Sequence, residues 1–465
     1  MPGAGEDTMS KQCKHYYFVG IGGSGMSAVA QILRAQGQRV SGSDRTHDSG
    51  GNRYLFRKLE RQGIRLVPQV GLSVAPDIDF LVVSSAIEST SPEREQALKL
   101  RIPILHRAEL LAKLFNQTMG VGVAGTSGKS TVTGMVASIF DADRRRATVI
   151  NGGIIMQYVS ATQVGNARCG DAGLCLAELD ESDGSIRHFH PGAGVITNIS
   201  KDHKPLSELH GLFQQFIDHT SGSLVLNADC PESALLNASG AITFGIEHPC
   251  DYRASHIKSG AEGMSFQVNG NAYTLRLPGR HNVANALAAI ALSAELGVSI
   301  RARQLGLRRF KGIQRRLSRV GAVGSIAVLD DFAHNPDKLR ASLAAIRSMS
   351  KRMLIVFQPH GYGPTRFMRV ELALAFGVAM RRRDILIGLP IFDAGGSADR
   401  SISTADLLAG ISGPRCIVTE DRSGAVHEIC ALARSGDTIA VIGARDDSLT
   451  RFARSIVRGL RKRIC

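Results

Sequence analysis

The sequence predicts an α/β protein of three domains, and three observations lead to this prediction. The chain has 465 residues, which is more than one ordinary hydrophobic core organises. Short apolar runs alternate with helical patterns along its length, which indicates repeated βα units and parallel sheets. Glycine-rich turns stand between a strand and a helix at 20–25 and at 125–128. We expect domains at 12–117, 118–314 and 315–465, of which the first and third are Rossmann-like and the second is of the P-loop ATPase type.

The first apolar run enters a glycine turn with the spacing of a dinucleotide-binding loop. In GIGGSG, Gly20, Gly22 and Gly25 have G-x-G-x-x-G spacing, with Gly23 between them. Glycine lets the backbone approach a diphosphate, which then lies at the N-terminus of the following helix. Asp44 ends the next strand, where an acid can bind a ribose hydroxyl. Alone, this unit favours an NAD-dependent dehydrogenase, and a packing turn without a ligand is the alternative.

A second loop, AGTSGKST, predicts a separate phosphate site at the start of the central domain. Its spacing is shorter than the Walker pattern, but Gly125 and Gly128 still free backbone N–H groups to surround an anion. Lys129 can reach phosphate oxygens, and Ser130 or Thr131 can give a hydroxyl to Mg²⁺. The residues expected to hold the nucleotide here are Gly125, Thr126, Gly128, Lys129, Ser130 and Thr131.

An acidic segment, CLAELDESDGS, follows the next strand pattern. It carries Glu178, Asp180, Glu181 and Asp183 just past the strand end. Carboxylates at this position beside a phosphate loop are natural Mg²⁺ ligands. For any one of the four, an acidic surface turn is the alternative.

Two later segments add polar side chains to strand and helix ends. GVITNISKDH places Asp202 and His203 after a buried strand, where the histidine is either a helix cap or a metal ligand. GRHNVANA begins a helix with His281, Asn282 and Asn285 in its first turns. Asparagine amides can bind an adenine edge, and capping of the helix by Asn282 is the simpler alternative.

The third series of strands opens after paired arginines. In FKGIQRRL, Arg315 and Arg316 have the chemistry to bind phosphate oxygens. The segment LDDFAHNPDKL then places Asp330, Asp331 and His334 at a strand end, before a helix that begins with proline. We expect these side chains to face the ligand of the second loop.

Composition narrows the classes of partner. The net charge of +15 indicates anionic ligands, but the basic clusters are scattered and aromatic residues are sparse, so small phosphorylated ligands are favoured over nucleic acid.

No run of eighteen apolar residues or secretory leader is evident, which predicts a cytoplasmic enzyme without stable membrane insertion. The eight cysteines form no C-x-x-C pair. The basic C-terminal segment is amphipathic; covering a sheet is the preferred interpretation, and contact with a membrane surface is the alternative. The oligomeric state is not predicted.

These segments, in this order, resemble the Mur ligase family of ATP-dependent, amide-forming enzymes of peptidoglycan synthesis. The similar segments cover nearly the whole chain: GIGGSGMS, RAEL, GTSGKST, AELDESDGS, TNISKDH, GRHNVANA, GIQRR, DDFAH and QPH. Its shorter phosphate loop matches the one found here. The resemblance implies ligation of a UDP-N-acetylmuramic-acid-type carboxylate to an amino acid, with L-alanine expected, through an acyl phosphate. Addition of a different amine or peptide is the alternative.

The resemblance also implies a role for each residue. Lys129, His203 and Arg316 are expected to be catalytic, and Ser130, Glu178 and His203 to bind Mg²⁺. ATP is expected to contact the second loop together with Asn282, Asn285, Asp331 and His334. The UDP-sugar and the amine are expected to contact Gly20, Gly22, Gly23, Gly25, Asp44, Arg107, His360 and Arg366.

Three segments depart from the family pattern. Ser127 replaces the usual histidine of the loop, GYGPTRFM follows QPH, and KPLSELHGL follows the DH pair. The last two lie where substrate and amine contacts are expected, so they bear on the identity of the amine. Arg366 offers a planar donor for the carboxylate of the amine, with His360 nearby. A simple surface pair with a carboxylate is the alternative for Arg366.

Overall fold

A computed structural model of the protein describes residues 13–201, 204–260, 263–393, 399–444, 446 and 448–464. The strands form three sheets, which follow one another along the chain. The predicted α/β fold is confirmed, and a strand precedes each of the two predicted glycine turns. The boundaries near 117 and 314 stay a prediction.

The first sheet has five parallel strands in the order β3-β2-β1-β4-β5, which is the arrangement of a Rossmann-like half-sheet. Its strands are β1 (His15–Val19), β2 (Arg39–Ser43), β3 (Arg65–Val67), β4 (Phe80–Val83) and β5 (Ile104–His106). Its helices are α1 (Ser24–Ala35), α2 (Arg45–Asp48), α3 (Arg53–Arg61), α4 (Pro92–Lys99) and α5 (Arg107–Asn116).

The second sheet has ten strands in the order β15-β14-β13-β12-β11-β10-β6-β9-β7-β8. The strands are β6 (Met119–Ala124), β7 (Thr148–Ile150), β8 (Ala167–Arg168), β9 (Leu174–Glu178), β10 (Ala193–Ile196), β11 (Leu224–Asn227), β12 (Ile242–Gly245), β13 (Tyr252–Gly260), β14 (Gly263–Val268) and β15 (Asn271–Leu275). The helices are α6 (Lys129–Ala142), α7 (Leu206–Asp218), α8 (Arg280–Glu295) and α9 (Ile300–Arg309). The antiparallel extension β13–β15 was not predicted from the sequence.

The third sheet has six strands in the order β16-β17-β21-β18-β19-β20, all parallel except β16. The strands are β16 (Ser318–Val323), β17 (Ile326–Asp331), β18 (Arg352–Phe357), β19 (Ile385–Gly388), β20 (Arg415–Val418) and β21 (Asp437–Ile442). The helices are α10 (Pro336–Ser348), α11 (Tyr362–Phe367), α12 (Arg369–Ala379), α13 (Thr404–Leu408), α14 (Arg422–Leu432) and α15 (Leu449–Ile464).

The strand register of the second sheet brings polar loops together. Val123 of β6 lies opposite Glu178 of β9, and Ala124 lies opposite Ile196 of β10. Because these strands are parallel, the segments that follow them leave the sheet at the same edge. Ligands of open α/β sheets bind at this edge. The register therefore gathers the phosphate loop, the acidic segment and the residues after β10.

The first and second sheet units are joined by a buried amide network. The Asn166 side chain donates hydrogen bonds to the Ser24 carbonyl at 2.8 Å and to the Ser27 hydroxyl at 3.0 Å, and its oxygen accepts one from Gln31 at 2.9 Å. Lys58, a buried lysine, donates to the Gln163 carbonyl at 2.8 Å. These bonds tie α1 and α3 to the loop before β8. Separating the two units would leave buried amide groups without hydrogen bonds, which is energetically costly.

The chain passes from the second to the third sheet through a constrained segment. Arg315 and Leu317 both have left-handed backbones, with φ of 59° and 48°. Such angles are unfavourable for residues with a side chain and persist only where surrounding contacts hold them. Here the Leu317 N–H donates to Asp331 at 2.7 Å and the Arg315 guanidinium to the Gly443 carbonyl at 2.5 Å. Arg316 lies between these two residues, and its side chain faces the space between the second and third sheets.

The C-terminal helix α15 covers one face of the third sheet. Phe452, Ala453, Ile456 and Leu460 are buried against that sheet and α14, while basic residues occupy its last turn. The structure thus agrees with the sheet-covering interpretation. In the part of the chain that the structure describes, no helix combines the length and apolar character needed to span a bilayer.

Candidate active site

The phosphate loop lies between β6 and α6, and the neighbouring strand holds its shape. Gly125 and Gly128 have φ of 128° and 88°, angles that side chains rarely tolerate. A Cβ at Gly125 would lie 2.1 Å from the Thr197 hydroxyl. The Ser127 N–H donates to the Asn198 side-chain oxygen at 3.0 Å, and the Asn198 amide donates back to the Ser127 carbonyl at 2.8 Å. The loop is therefore a rigid glycine cradle at a helix N-terminus, as anion binding requires.

Lys129 begins α6 and carries the central charge of the site. Its ammonium lies 2.5 Å from Glu181 and 3.6 Å from Asp180, both of which follow β9. Burial works against this charge, but the carboxylates of Glu181, Asp180 and Glu178 outweigh it and raise the pKa of Lys129. The pKa of Asp180 is lowered, because Lys129 and hydrogen bonds from Ser182 outweigh the effect of burial. Lys129 is thus a permanent cation at neutral pH.

Side-chain oxygen atoms that could bind a cation lie on the other side of the loop. Glu178 accepts the Gly152 N–H at 2.7 Å, and Ser130 lies in the first turn of α6. Asn151, which sequence reasoning missed, is almost completely buried next to them. Its amide donates to the carbonyls of Ser130 and Gly153 at 3.3 and 3.0 Å, whereas its side-chain oxygen has no donor among the described residues. The signal for Asn151 was the NGG turn after β7, beside the strand that ends in Glu178.

These donors have the chemistry that Mg²⁺ prefers. A carboxylate, a hydroxyl and an amide oxygen suit this ion, which usually completes its shell with phosphate oxygens and water. No cluster of three His, Cys, Asp or Glu side chains that could hold a metal occurs among the described residues. Asp202 and the predicted ligand His203 lie outside the described residues.

The third sheet contributes the opposite wall of the site. Arg316 stacks its guanidinium over Phe332, with 5.0 Å between the two groups. Burial lowers the pKa of Arg316, although the charges of Asp331 and Glu178 act against this shift. Asp331 accepts the N–H groups of Leu317 and Ala333, each at 2.7 Å, and burial raises its pKa despite these bonds. His334, at the same strand end, also faces the site.

The predicted adenine contacts lie at the start of α8. Asn282 donates to the Pro278 carbonyl at 2.7 Å and does not cap the helix, so the capping alternative is not what the structure shows. Asn285 donates to the Asn282 oxygen at 3.3 Å, and its own oxygen is so close to Gly128 that a Cβ there would lie 2.4 Å away. His281 lies in the same wall, and burial lowers its pKa to about 4. These side chains join the helix directly to the phosphate loop.

One cavity of about 1040 Å³ lies between the second and third sheet units. Asn151 lies next to Ser130 but is not among the residues that line this cavity. From the second unit come the phosphate loop, Glu178, Asp180, Glu181, His281, Asn282 and Asn285. From the third come Arg316, Asp331, His334 and His360. The cavity thus combines cations, carboxylates and amides in a space large enough for a nucleotide and part of a second substrate.

The first glycine turn forms a separate locus on the first sheet. Gly22 donates its N–H to Asp44 at 2.8 Å, and the other oxygen of Asp44 accepts the Thr46 N–H at 2.8 Å. Arg107 covers Gly25, where a Cβ would lie 3.0 Å from its guanidinium. The same guanidinium lies 3.3 Å from Asp183 of the acidic segment. Arg107 therefore connects the glycine turn with the acidic edge of the second sheet.

The structure separates the two residues predicted to hold the amine. His360 lines the cavity and stacks on Phe392 at 5.7 Å. Arg366 is partly exposed outside the cavity lining and pairs with Asp399 at 2.9 Å and with the Ser401 hydroxyl at 2.9 Å. This placement favours the surface-pair alternative for Arg366.

Models of three family domains match successive parts of the chain. The Mur ligase family catalytic domain matches residues 15–118, the Mur ligase middle domain matches 123–293, and the Mur ligase glutamate ligase domain matches 315–445. The three matches follow the order of the three sheets.

Individual relatives match nearly the full length. The UDP-N-acetylmuramate–L-alanine ligase of Novosphingobium aromaticivorans is 34% identical over 473 residues, covering 94% of this chain and 95% of the relative. The ligase of the same name from Geotalea uraniireducens is 34% identical over 446 residues, covering 92% and 94%. The crystal structure of UDP-N-acetylmuramate-alanine ligase from Thermotoga maritima is 27% identical, with a TM-score of 0.78 and coverage of 96% and 99%.

Lys129→Ala tests the phosphate loop. The change removes the cation and leaves Glu181 and Asp180 facing the phosphates, so ATP-dependent turnover is expected to fall on the order of 10²-fold or more. Phosphate release from ATP measures it, and Lys113→Ala, an exposed lysine of α5, is the control. Near-normal turnover in a folded Lys129→Ala protein would remove the loop from the site.

Proposed function

The chain belongs to the Mur ligase family of ATP-dependent ligases, and we propose that it joins UDP-N-acetylmuramic acid to L-alanine. One observation carries the proposal: the mostly buried cation Lys129 and the arginine Arg316 face one cavity from two different sheet units. Transfer of a phosphoryl group needs positive charge around the transferring oxygens more than it needs a nucleophile from the protein. The relatives named above supply the identity of the two substrates.

The reaction proceeds in two steps within this cavity. The carboxylate of the sugar attacks the γ-phosphorus of ATP, the bond to ADP breaks, and an acyl phosphate forms. The amine nitrogen then attacks the acyl carbon, phosphate leaves, and the nitrogen loses a proton as the amide forms. Lys129 and Arg316 offset the negative charge that spreads over the phosphoryl oxygens. The two walls exclude water from the activated acyl group when they approach each other.

The nucleotide lies along the loop in this proposal. Its phosphates contact the N–H groups around Gly128, and its adenine lies beside Asn282 and Asn285. Ser130, Glu178 and Asn151 hold Mg²⁺, which neutralises charge on the phosphates when it is bound. Thr131 lines the same cavity and is the other hydroxyl available near the loop.

The UDP-sugar occupies the glycine turn and extends toward the acidic edge. Gly20, Gly22, Gly23 and Gly25 give its diphosphate access to the N-terminus of α1. Arg107 supplies a positive charge beside this turn and, through Asp183, a fixed position relative to the ATP loop. The amine enters from the side of His360, the predicted amine contact that lines the cavity.

A phosphate-release screen tests the substrates directly. UDP-N-acetylmuramic acid and ATP are supplied with each amino acid and with short peptides, and L-alanine is expected to give the highest kcat/KM. Preference for a peptide would overturn the amine while leaving ligation intact. Absence of turnover with every acceptor would overturn the proposed function.

Gly22→Val separates ligation from the dehydrogenase alternative. A Cβ at Gly22 would lie 2.8 Å from Asp44 and 2.8 Å from Phe56, so the turn must distort. We expect loss of UDP-N-acetylmuramic acid binding with ATP binding retained, measured by calorimetric titration. Gly211→Ala, where a Cβ meets nothing within 4 Å, is the matched control. Micromolar NADH binding by the unaltered protein that Gly22→Val abolishes would instead support a dehydrogenase.

Asn151 is tested by two substitutions that both remove its amide donor, of which only one keeps a side-chain oxygen. Asn151→Ala removes the side-chain oxygen and is expected to raise the Mg²⁺ concentration for half-maximal turnover about 10-fold or more. Asn151→Asp keeps an oxygen ligand and should retain most of the Mg²⁺ affinity. Equal Mg²⁺ dependence in both variants would mean that Asn151 only braces the Ser130 carbonyl.

A further inference from the structure

Helix α12 carries an apolar face that is exposed in the described structure. Val370, Leu374 and Val378 follow one another at helical spacing and are 66%, 61% and 84% exposed, respectively. Phe367, at the end of α11, is not part of this face, because it lines the active-site cavity and lies 5.7 Å from the Lys201 ammonium. The opposite face of the helix, with Leu372, Ala375 and Phe376, is buried in the core of the third sheet. We call the three exposed residues of α12 the α12 stripe. An aligned set of large exposed apolar side chains marks an interaction site more often than scattered ones do.

A cluster of cations adjoins the end of this stripe. Arg381, Arg382 and Arg383 follow α12 directly and are all exposed. Arg415, at the start of β20, and Lys351, just before β18, are exposed at the same edge. The starts of β18, β19 and β20 meet there, because these strands are parallel neighbours and Arg415 donates its N–H to the Asp384 carbonyl at 3.1 Å.

These five residues, the basic cluster, keep their charges available. Among the described residues, no carboxylate lies within ion-pair distance of their side chains. Asp384, the nearest acid in sequence, is buried and bonded to Arg347, to the Met353 N–H and to the Arg381 N–H. The net charge of the whole chain, +15, has the same sign. The surface therefore presents the α12 stripe beside exposed cations that form no ion pair with a described carboxylate.

We infer that this face of the third domain docks on the surface of an anionic lipid bilayer. The α12 stripe lies among the first acyl carbons and the basic cluster contacts the phosphates of the headgroups. An apolar helix face flanked by arginines is the pattern of interfacial helices, and binding to anionic lipid draws on both parts. The docking is peripheral and requires no bilayer-spanning helix. It is independent of the ligation chemistry, since Lys129 and Arg316 lie elsewhere.

A second copy of the chain fits this face less well. Three apolar side chains cover less than the roughly 800 Å² per partner that a stable interface of standard size buries. A bilayer needs no such minimum area.

The test is flotation of the full-length protein with vesicles of phosphatidylglycerol and phosphatidylcholine, compared with phosphatidylcholine alone. Binding is expected only to the anionic vesicles and should weaken at high salt. Replacement of Arg381, Arg382 and Arg383 by serine should lower the partition coefficient on the order of 100-fold, since each cation contributes about fivefold. Leu374→Ser combined with Val378→Ser should lower it about 10-fold or more.

Matched controls distinguish binding through this face from nonspecific hydrophobic or electrostatic binding to the vesicles. Leu72→Ser alters an 88% exposed leucine of the first domain, and Arg308→Ser with Arg309→Ser removes an exposed basic pair of α9; both should bind as the parent does. ATP-dependent phosphate release shows that each variant is folded. The inference is overturned if the parent does not bind anionic vesicles or if controls and variants lose binding equally. It is also overturned if sedimentation shows a dimer that the Leu374→Ser and Val378→Ser change dissociates.

Discussion

The site depends on one electrostatic constraint, the position of the mostly buried Lys129 at the N-terminus of α6, where its side chain is 12% exposed. A lysine removed from water must keep carboxylates nearby, and Glu181 and Asp180 meet this need from the end of the adjacent strand β9. Those acids in turn require the loop, the strand register and the helix to stay in one arrangement. The glycine angles at 125 and 128 and the mutual bonds of Ser127 and Asn198 give the loop that rigidity.

The same constraint explains why the cavity is shared between two sheet units. A phosphate site made only of Lys129 and backbone N–H groups would be balanced by its own carboxylates, so further positive charge has to come from outside. Arg316 supplies it from the segment that joins the second and third sheets. Asp331 fixes that segment by accepting the Leu317 N–H, which holds an unfavourable backbone angle in place. A polar residue predicted to contact the nucleotide thus also organises the crossing between domains.

The two glycine turns illustrate how similar sequences receive different surroundings. In the first, Asp44 accepts the Gly22 N–H and Arg107 covers Gly25, so the turn is narrow and flanked by one cation. In the second, Asn285 reaches over Gly128 and the acids of β9 surround Lys129. Arg107 and Asp183 join the two places. This link sets the first glycine turn and the phosphate loop at a fixed position relative to each other, as the proposed reaction between their two ligands requires.

The sequence by itself determined the α/β class, the strands at its apolar runs and the residue types of the phosphate loop, because period, glycine spacing and apolar content are local properties. It also pointed to Glu178 and Asp331, because they lie at strand ends, and to Arg316, because it belongs to a pair of arginines. Only the tertiary structure decided that Asn151 belongs with Ser130 and Glu178, that Asn282 binds a carbonyl, and that Arg366 pairs with Asp399 outside the cavity. The antiparallel strands β13–β15 and the exposed face of α12 were likewise decided there. The physical reason is that contacts between residues far apart in the chain depend on strand order and on the packing of one sheet unit against another, neither of which is written in any short stretch of sequence.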